Sequence, residues 1–259
     1  MPIVVRTMSD QTETEQDNTG RTIVVAVDLE GHLSPALELA LSLAAVGKSA
    51  VHGLFIEDED LLQVARLPFA AEVPRLGGPP RALHGNQLQR SLATSARQFR
   101  EMLARQAEQR ALEWSYSSIR GRRRDMEVGE RAHADYFVMS QPRGRRLRRG
   151  PALRIMLVRD HNPGCLQALA VLLDQNPGRP VEICTMAEPG ENNPLDSPEL
   201  TALLQRFPGT TIRLLPPSEL AGVLSEGPAF HCIVTSRSLE SQILRDVLRL
   251  ATCPVIMAS

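Results

Sequence analysis

The chain has 259 residues, 42% of them hydrophobic and 23% charged, an ordinary globular composition that fits one large domain or two small ones. A formal net charge of -1 gives no global attraction to nucleic acid or to an anionic membrane. The most apolar helical run, Ala36 to Val46, falls far short of the roughly 20 residues that a membrane span needs.

Ser9 to Gly20 contain no aliphatic residue, so 1–20 are expected to form a disordered tail. No basic, then apolar, then small-residue leader pattern stands at the N-terminus, and the expectation is a cytoplasmic protein with reduced thiols. Thr22 to Val27 is a β-branched apolar run that predicts a first strand ending at Asp28. Ser34 suits a helix N-cap, Pro35 the first helical position and Gly47 the stop. Ala50 to Ile56 reads as a second strand, which makes a βαβ unit of a parallel sheet. A Pro- and Gly-rich insertion from Pro68 to Pro80 follows. Beyond it Leu88, Leu92, Ala96, Phe99, Leu103 and Ala107 form one apolar stripe of a long helix. Trp114 to Ile119 and Tyr136 to Met139 read as strands, with a short polar helix between them near Asp125 to Ala132.

The pattern then begins again. Leu153 to Val158 ends near Asp160, and each of Asp28 and Asp160 is followed eight residues later by Ala-Leu. Strands are expected at Val181 to Thr185, Thr211 to Leu215, Phe230 to Thr235 and Pro254 to Met257. Helices are expected from Ser197-Pro198, over Ser218 to Leu224, and along Leu239 to Ala251. The spacing predicts an α/β chain of two tandem Rossmann-like parallel-sheet domains, 21–150 and 151–259. The first lacks its last helix and strand, because only SQPRGRRLRRG separates its fourth strand from the second half.

TIVVAVD, the helix PALELALSLAAV and the segment GLFIEDEDLLQVARLPFAAEV resemble universal stress proteins. The end of the chain, FHCIVTSRSLESQILRDVLRLATCPVIMAS, is similar to that family's closing strand, helix and strand. The resemblance implies a five-stranded parallel sheet with helices on both faces, and some members bind ATP or AMP. It implies that an acidic residue after the first strand contacts the nucleoside, a position held here by Asp28 and Asp160. It also implies a phosphate loop G-x-x-G-x9-G-[S/T] after the fourth strand, where glycines let the backbone approach. Both halves depart from that loop. The first reads MSQPRGRRLRRG, with wrong glycine spacing, and the second reads TSRSLESQILRD, with none. Side chains at those positions hold a phosphate away from the backbone. The expected cofactor is therefore none, with ATP or AMP as the alternative.

Two arginine clusters, Arg120 with Arg122 to Arg124 and Arg143 with Arg145, Arg146, Arg148 and Arg149, belong near the carboxyl ends of strands. Asp28, Asp160, Arg143, Arg145 and Arg146 make up the candidate nucleotide or anion site. The reading set beside it is a solvated linker balanced by Glu57 to Asp60. No aromatic residue interleaves with the arginines, which argues against nucleic acid. Cys165 falls at a helix start, where a thiol pKa can drop. Cys232 and Cys253 begin neighbouring strands, and a redox role is the minor reading of these thiols. His32, His52, His84, His133, His161 and His231 show no ligand spacing, and no nucleophile has a base at motif distance. The expected function is a non-enzymatic stress-response regulator or adaptor acting on a protein partner. The alternative is an adenine-nucleotide sensor that uses arginine in place of the glycine loop. The last strand, Pro254 to Met257, is expected to pair two chains into a homodimer.

Overall fold

The computed structural model describes residues 22–29, 31, 33–73, 78–121, 134–141, 152–158, 162–186, 197–227, 229–239 and 241–259. The expected tail, the helix near Asp125 to Ala132 and the arginines 122–124 and 143–149 lie outside the described residues. The first strand, β1 (Thr22–Asp28), leads into α1 (Leu33–Gly47) and β2 (Ala50–Asp58). Ser34 lies inside the first turn of α1 and is not its cap; its hydroxyl is directed at the sulfur of Met102. The insertion is not bare loop. A short α2 (Glu59–Val64), capped by the Asp58 carboxylate, precedes it, and β3 (Ala71–Glu72) within it forms a two-residue ladder with β4 (Arg81–Ala82) just beyond it. The long α3 (Gly85–Glu108) and β5 (Trp114–Gly121) follow, and then β6 (Tyr136–Met139).

The second set runs β7 (Leu153–Val158), α4 (Pro163–Asp174), β8 (Val181–Met186), α5 (Pro198–Arg206) and β9 (Thr210–Leu215). It closes with α6 (Leu220–Ser225), β10 (Cys232–Ser236), α7 (Ser241–Leu250) and β11 (Val255–Ala258). Ser197 caps α5 through a bond from the Leu200 amide, with Pro198 at the first helical position.

The expectation of two separate parallel sheets is corrected. All strands but β3 and β4 form one nine-stranded mixed sheet, in the order β5-β2-β1-β6-β11-β10-β7-β8-β9. Every neighbouring pair is parallel except β6 with β11, where Tyr136 to Met139 face Ala258 to Val255 in antiparallel register. Both ladder edges of β11 are therefore filled within the chain, by β10 and by β6. The homodimer expected through this strand has no edge left to use. The physical reason is the one that shortened the first half: no described strand lies between β6 and β7, and the bare edge of β6 takes the strand that closes the other half.

Alternate residues feed alternate faces, as the pleat requires. Ile23, Val25 and Val27 join α1, α3, α4 and α5 in one apolar layer, while Val24 and Ala26 face a second layer containing α6 and α7. β1, β6 and β7 are buried on both faces, which is why they read as unbroken apolar runs. The seam is pinned at its rim. The Thr22 amide donates to the Asp135 carboxylate at 2.8 Å, and the Ser259 amide donates to the Asp135 carbonyl at 2.9 Å. The Tyr136 hydroxyl donates across the seam to the carbonyl of Gly164 at 3.2 Å.

At Gly53 α3 lies close against the sheet. A Cβ there would stand 2.4 Å from Cδ2 of Leu103 and 3.3 Å from the ring of Phe99, and both of those side chains are fully buried. Neither neighbour can swing into solvent, so the helix itself would have to move. Gly53→Ala is expected to lower stability by about 1–3 kcal/mol, the usual cost of overpacking. Urea denaturation of the two proteins measures it, and an unchanged midpoint would show that α3 is loosely seated.

Candidate functional site

In an open α/β sheet a ligand sits beyond the carboxyl ends of the strands, where the chain turns from one side of a strand to the other. Two such points exist here. The first lies between β1 and β6, since β2 departs on one side of β1 and β6 lies on the other. The second lies between β7 and β10 for the same reason. Because β6 and β11 are antiparallel, the two sets of strands point in opposite directions and the two crevices open on opposite rims of the sheet.

The first crevice is lined by Asp28 at the end of β1 and by Ser140 and Gln141 at the end of β6. These polar residues are 8%, 1% and 2% exposed. The Ser140 amide donates to the Ala26 carbonyl at 2.9 Å, which extends the β6 ladder by one rung. Gly31 then lies directly on the pair. Its amide donates to the Asp28 carbonyl at 3.3 Å, and a Cβ at this position would fall 2.1 Å from the Ser140 hydroxyl oxygen and 3.0 Å from Oδ1 of Asp28. Only a residue without a side chain lets the loop settle this deep. Asp28 thus lies beneath the backbone of Gly31.

The second crevice is closed by different means. Asn162 caps α4, accepting from the Gly164 amide at 2.7 Å, and its side-chain amide donates to the Ser236 hydroxyl at 3.3 Å. The Ser236 and Ser238 hydroxyls lie 2.6 Å apart, and the Ser238 amide donates to Ser236 at 3.1 Å. A Cβ on Gly164 would stand 2.9 Å from that of Ala258. The N-terminus of α4, the natural seat for an anion, is thus occupied by Asn162 and packed against the end of β11.

Of the candidate site residues, only Asp28 lies among the described residues, and it is at the floor of the first crevice. Asp160, Arg143, Arg145 and Arg146 lie outside them. Arg120, from the first arginine cluster, is turned to Glu57 on the neighbouring strand, with its Nη2 3.1 Å from Oε2. The sequence reading passed over Gly31, Ser140, Gln141, Asn162 and Ser236. A signal was present, since Ser140-Gln141 and Thr235-Ser236 are the first polar residues met at the ends of the apolar runs of β6 and β10.

At the amino ends of the second strands a separate polar group is held together. The Arg154 amide donates to Nδ1 of His231 at 3.0 Å, and the Arg154 guanidinium pairs with Glu182 at 2.9 Å while lying 5.3 Å from the centre of the Phe230 ring. A cavity of about 140 Å³ opens beside it, lined by Leu224, Gly227, Phe230, Ile233, Thr252 and Cys253. That is well below the roughly 300 Å³ at which small-molecule sites begin. Among the described residues no group of three or more His, Cys, Asp or Glu could hold a metal ion, and no helix is long and apolar enough to cross a membrane.

No protein-family model matches the chain, and no curated protein matches it in sequence. Among solved structures, the chain is similar to a universal stress protein from Archaeoglobus fulgidus DSM 4304, with 12% identity and a TM-score of 0.47 over 92% of this chain and 96% of that one. It is similar to the cytoplasmic domain of a prokaryotic cation chloride cotransporter, with 14% identity and a TM-score of 0.43 over 92% and 95%. A third is a functionally unknown protein from Pseudomonas aeruginosa PAO1, with 12% identity and a TM-score of 0.43 over 93% of each chain.

All four cysteines are buried. Burial pushes the Cys232 thiol up to about 12, and it raises Cys253 and Cys184 above the ordinary thiol value. The nearness of Cys232 adds to the rise at Cys253, in line with the expectation that these two lie close together. Thiols held this far towards the protonated form are poor nucleophiles, which weighs against the redox reading. Two outcomes are expected. A thiol reagent at pH 8 should leave the folded protein unmodified and label all four cysteines once it is denatured. Stability should also fall as the pH rises from about 9 towards 12, because the unfolded Cys232 loses its proton there while the folded one keeps it. The slope is about 1.4 kcal/mol per pH unit for that thiol, and urea midpoints across the window, shallower in Cys232→Ala, check the sign.

Proposed function

We propose that this chain is a non-enzymatic regulatory or adaptor protein of the stress-response type, built on a duplicated nucleotide-binding fold whose ligand crevices have been given over to internal packing. The two halves, 21–150 and 151–259, are read as copies of one ancestral unit. Their strand orders, β5-β2-β1-β6 and β9-β8-β7-β10, support this, since each is laid down in the same sequence of crossings. So do the shared Asp28 and Asp160 and the resemblance carried by TIVVAVD and the closing segment. The protein acts in the cytoplasm, through a protein partner, without a bound cofactor.

The observation that carries the reading is Gly31 seated on Ser140 and Asp28, with no room for even one added carbon. A nucleotide site needs an open crevice, an acidic group facing it and glycines where the phosphates lie. Here the acidic group is beneath the backbone. The second half supports the same reading through Asn162 and Ser236, which turn the helix terminus inward.

Calorimetric titration of nucleotide-free protein with ATP and AMP at low salt is the test. No saturable heat is expected up to millimolar nucleotide. Saturable micromolar binding that disappears in Asp28→Ala or Asp160→Ala would replace this reading with the sensor. Arg143, Arg145 and Arg146 would then be the next residues to change.

A further inference from the structure

β5 ends the nine-stranded sheet on one side and β9 on the other. The outer edge of β5 can be assigned residue by residue. The Val51 amide donates to the Glu113 carbonyl at 2.9 Å, and along a parallel ladder successive residues turn their backbone groups alternately to one neighbour and the other. Glu113, Ser115, Ser117 and Ile119 therefore face β2. Trp114, Tyr116, Ser118 and Arg120 turn their N–H and C=O groups outward. No described backbone donor or acceptor reaches those groups from the outer side.

Natural edge strands are guarded by shortness, lysine, proline or bulges. β5 has none of these guards. It is eight residues long, reads WSYSSIRG, and keeps unbroken register with β2 from Trp114 to Gly121. Its one charge, Arg120, is already paired with Glu57. β9 is six residues long, carries Arg213 in its middle and runs straight into Pro216 and Pro217. A two-fold pairing about the centre of β9 would bring two guanidinium groups together, which is unfavourable.

We infer that β5 pairs antiparallel with β5 of a second copy of this chain, giving a two-fold dimer with one continuous sheet. The register follows from the outward set. Antiparallel hydrogen-bonded pairs must place outward-facing residues opposite one another, and the two-fold register that engages all of them is centred on Ser117. Trp114 then stands opposite Arg120 of the partner subunit, and Tyr116 stands opposite Ser118 of the partner subunit. Ser117 meets its own copy on the axis. No like charges meet, and a guanidinium beside an indole is a favourable neighbour. The contact is isologous, so it closes at two chains and leaves only the two β9 edges, with their arginine and prolines, at the ends of the joined sheet.

Three variants, with light scattering at micromolar concentration, test this. The unmodified protein is expected to show the mass of two chains. Ser118→Pro removes one outward N–H and leaves the ladder to β2 intact, so it should give a monomer with unchanged circular dichroism and a thermal midpoint that no longer depends on protein concentration. Ser117→Cys should cross-link into a dimer on mild oxidation, because opposed Cα atoms in a non-hydrogen-bonded pair are about 4.5 Å apart, within disulfide range. Ser115→Cys is the matched control. Both hydroxyls contact the His52 ring at 2.8 Å, but Ser115 is opposite Ile119 of the partner subunit and should not cross-link. The native cysteines are buried and give no background. A monomeric unmodified protein, a dimer that survives Ser118→Pro, or a dimer in which Ser117→Cys fails to cross-link would each overturn the inference. Should Ser118→Pro not fold, the two cysteine variants decide alone.

Discussion

The structure depends on one constraint, that a strand buried on both faces cannot leave its ladder edge bare. β6 lies against β1 on one side, and Phe137, Val138 and Met139 are all but inaccessible to solvent. Its other edge presents backbone N–H and C=O groups that water cannot reach, and each would cost on the order of 1–3 kcal/mol if left without a partner. With no further strand of its own half beside it, β6 takes β11. Everything about the relation of the halves follows from that pairing. The antiparallel sense reverses the strand direction, joins two sheets into one, and sets α1 beside α4 on the same face. The rim contacts of Asp135, Tyr136 and Ser259 then fix the seam at one end, where the last strand arrives and the first begins. Arg237 lies at the same rim, and the Asp135 carboxylate partly offsets the burial that lowers the arginine's pKa.

The same pairing bears on the crevices. A strand order that reverses direction between neighbours opens a gap at the carboxyl ends, and something must fill it. In this chain the filling is polar and local. Gly31 drops onto Ser140, and Asn162 reaches Ser236. In the second half the seam contributes directly, because the end of β11 packs against Gly164 at the start of α4. The strand that closes the edge of β6 is thus also the strand that crowds an anion seat.

How much of this could be read beforehand depends on whether the signal is local. Strands buried on both faces announce themselves as apolar runs, so β1, β6 and β7 fall where TIVVAV, YFVM and LRIMLV stand. The 3.6-residue stripe from Leu88 to Ala107 likewise gave α3, and its buried members are Leu88, Leu92, Phe99, Leu103 and Ala107. The small number of residues between β6 and β7 was legible too. What that shortness would do was not legible. Pairing partners are set by which edge is open in three dimensions, and VIMA carries no mark saying that its second neighbour is YFVM. The cap at Ser34 failed because Leu33 already begins the helix, a two-residue shift of the kind that terminal turns allow. The crevice residues were missed because serine, glutamine and asparagine in loops look like solvent. Here Ser140, Gln141 and Ser236 are among the most deeply buried polar groups of the described residues, and Asn162 is half-buried.

A sheet of nine strands has two ends, and the way each is finished separates surface that is merely left over from surface able to join something. β9 is short, bears Arg213 at its middle and is followed at once by two prolines, so pairing there is discouraged by both charge and backbone. β5 is long and flanked by β2 in full register, with a half-buried Trp114 and Tyr116 whose ring packs edge-on against Phe99. Those aromatic groups are anchored from beneath by α3, which makes the edge rigid before anything meets it. A rigid, regular edge binds with little loss of conformational entropy, whereas a frayed one must first be ordered. The chain has spent its interior crevices on its own loops and its inner edges on its own strands. Among the described strands, β5 is the long, regular and unguarded backbone edge, the place where a fold of this kind can still add structure from outside itself.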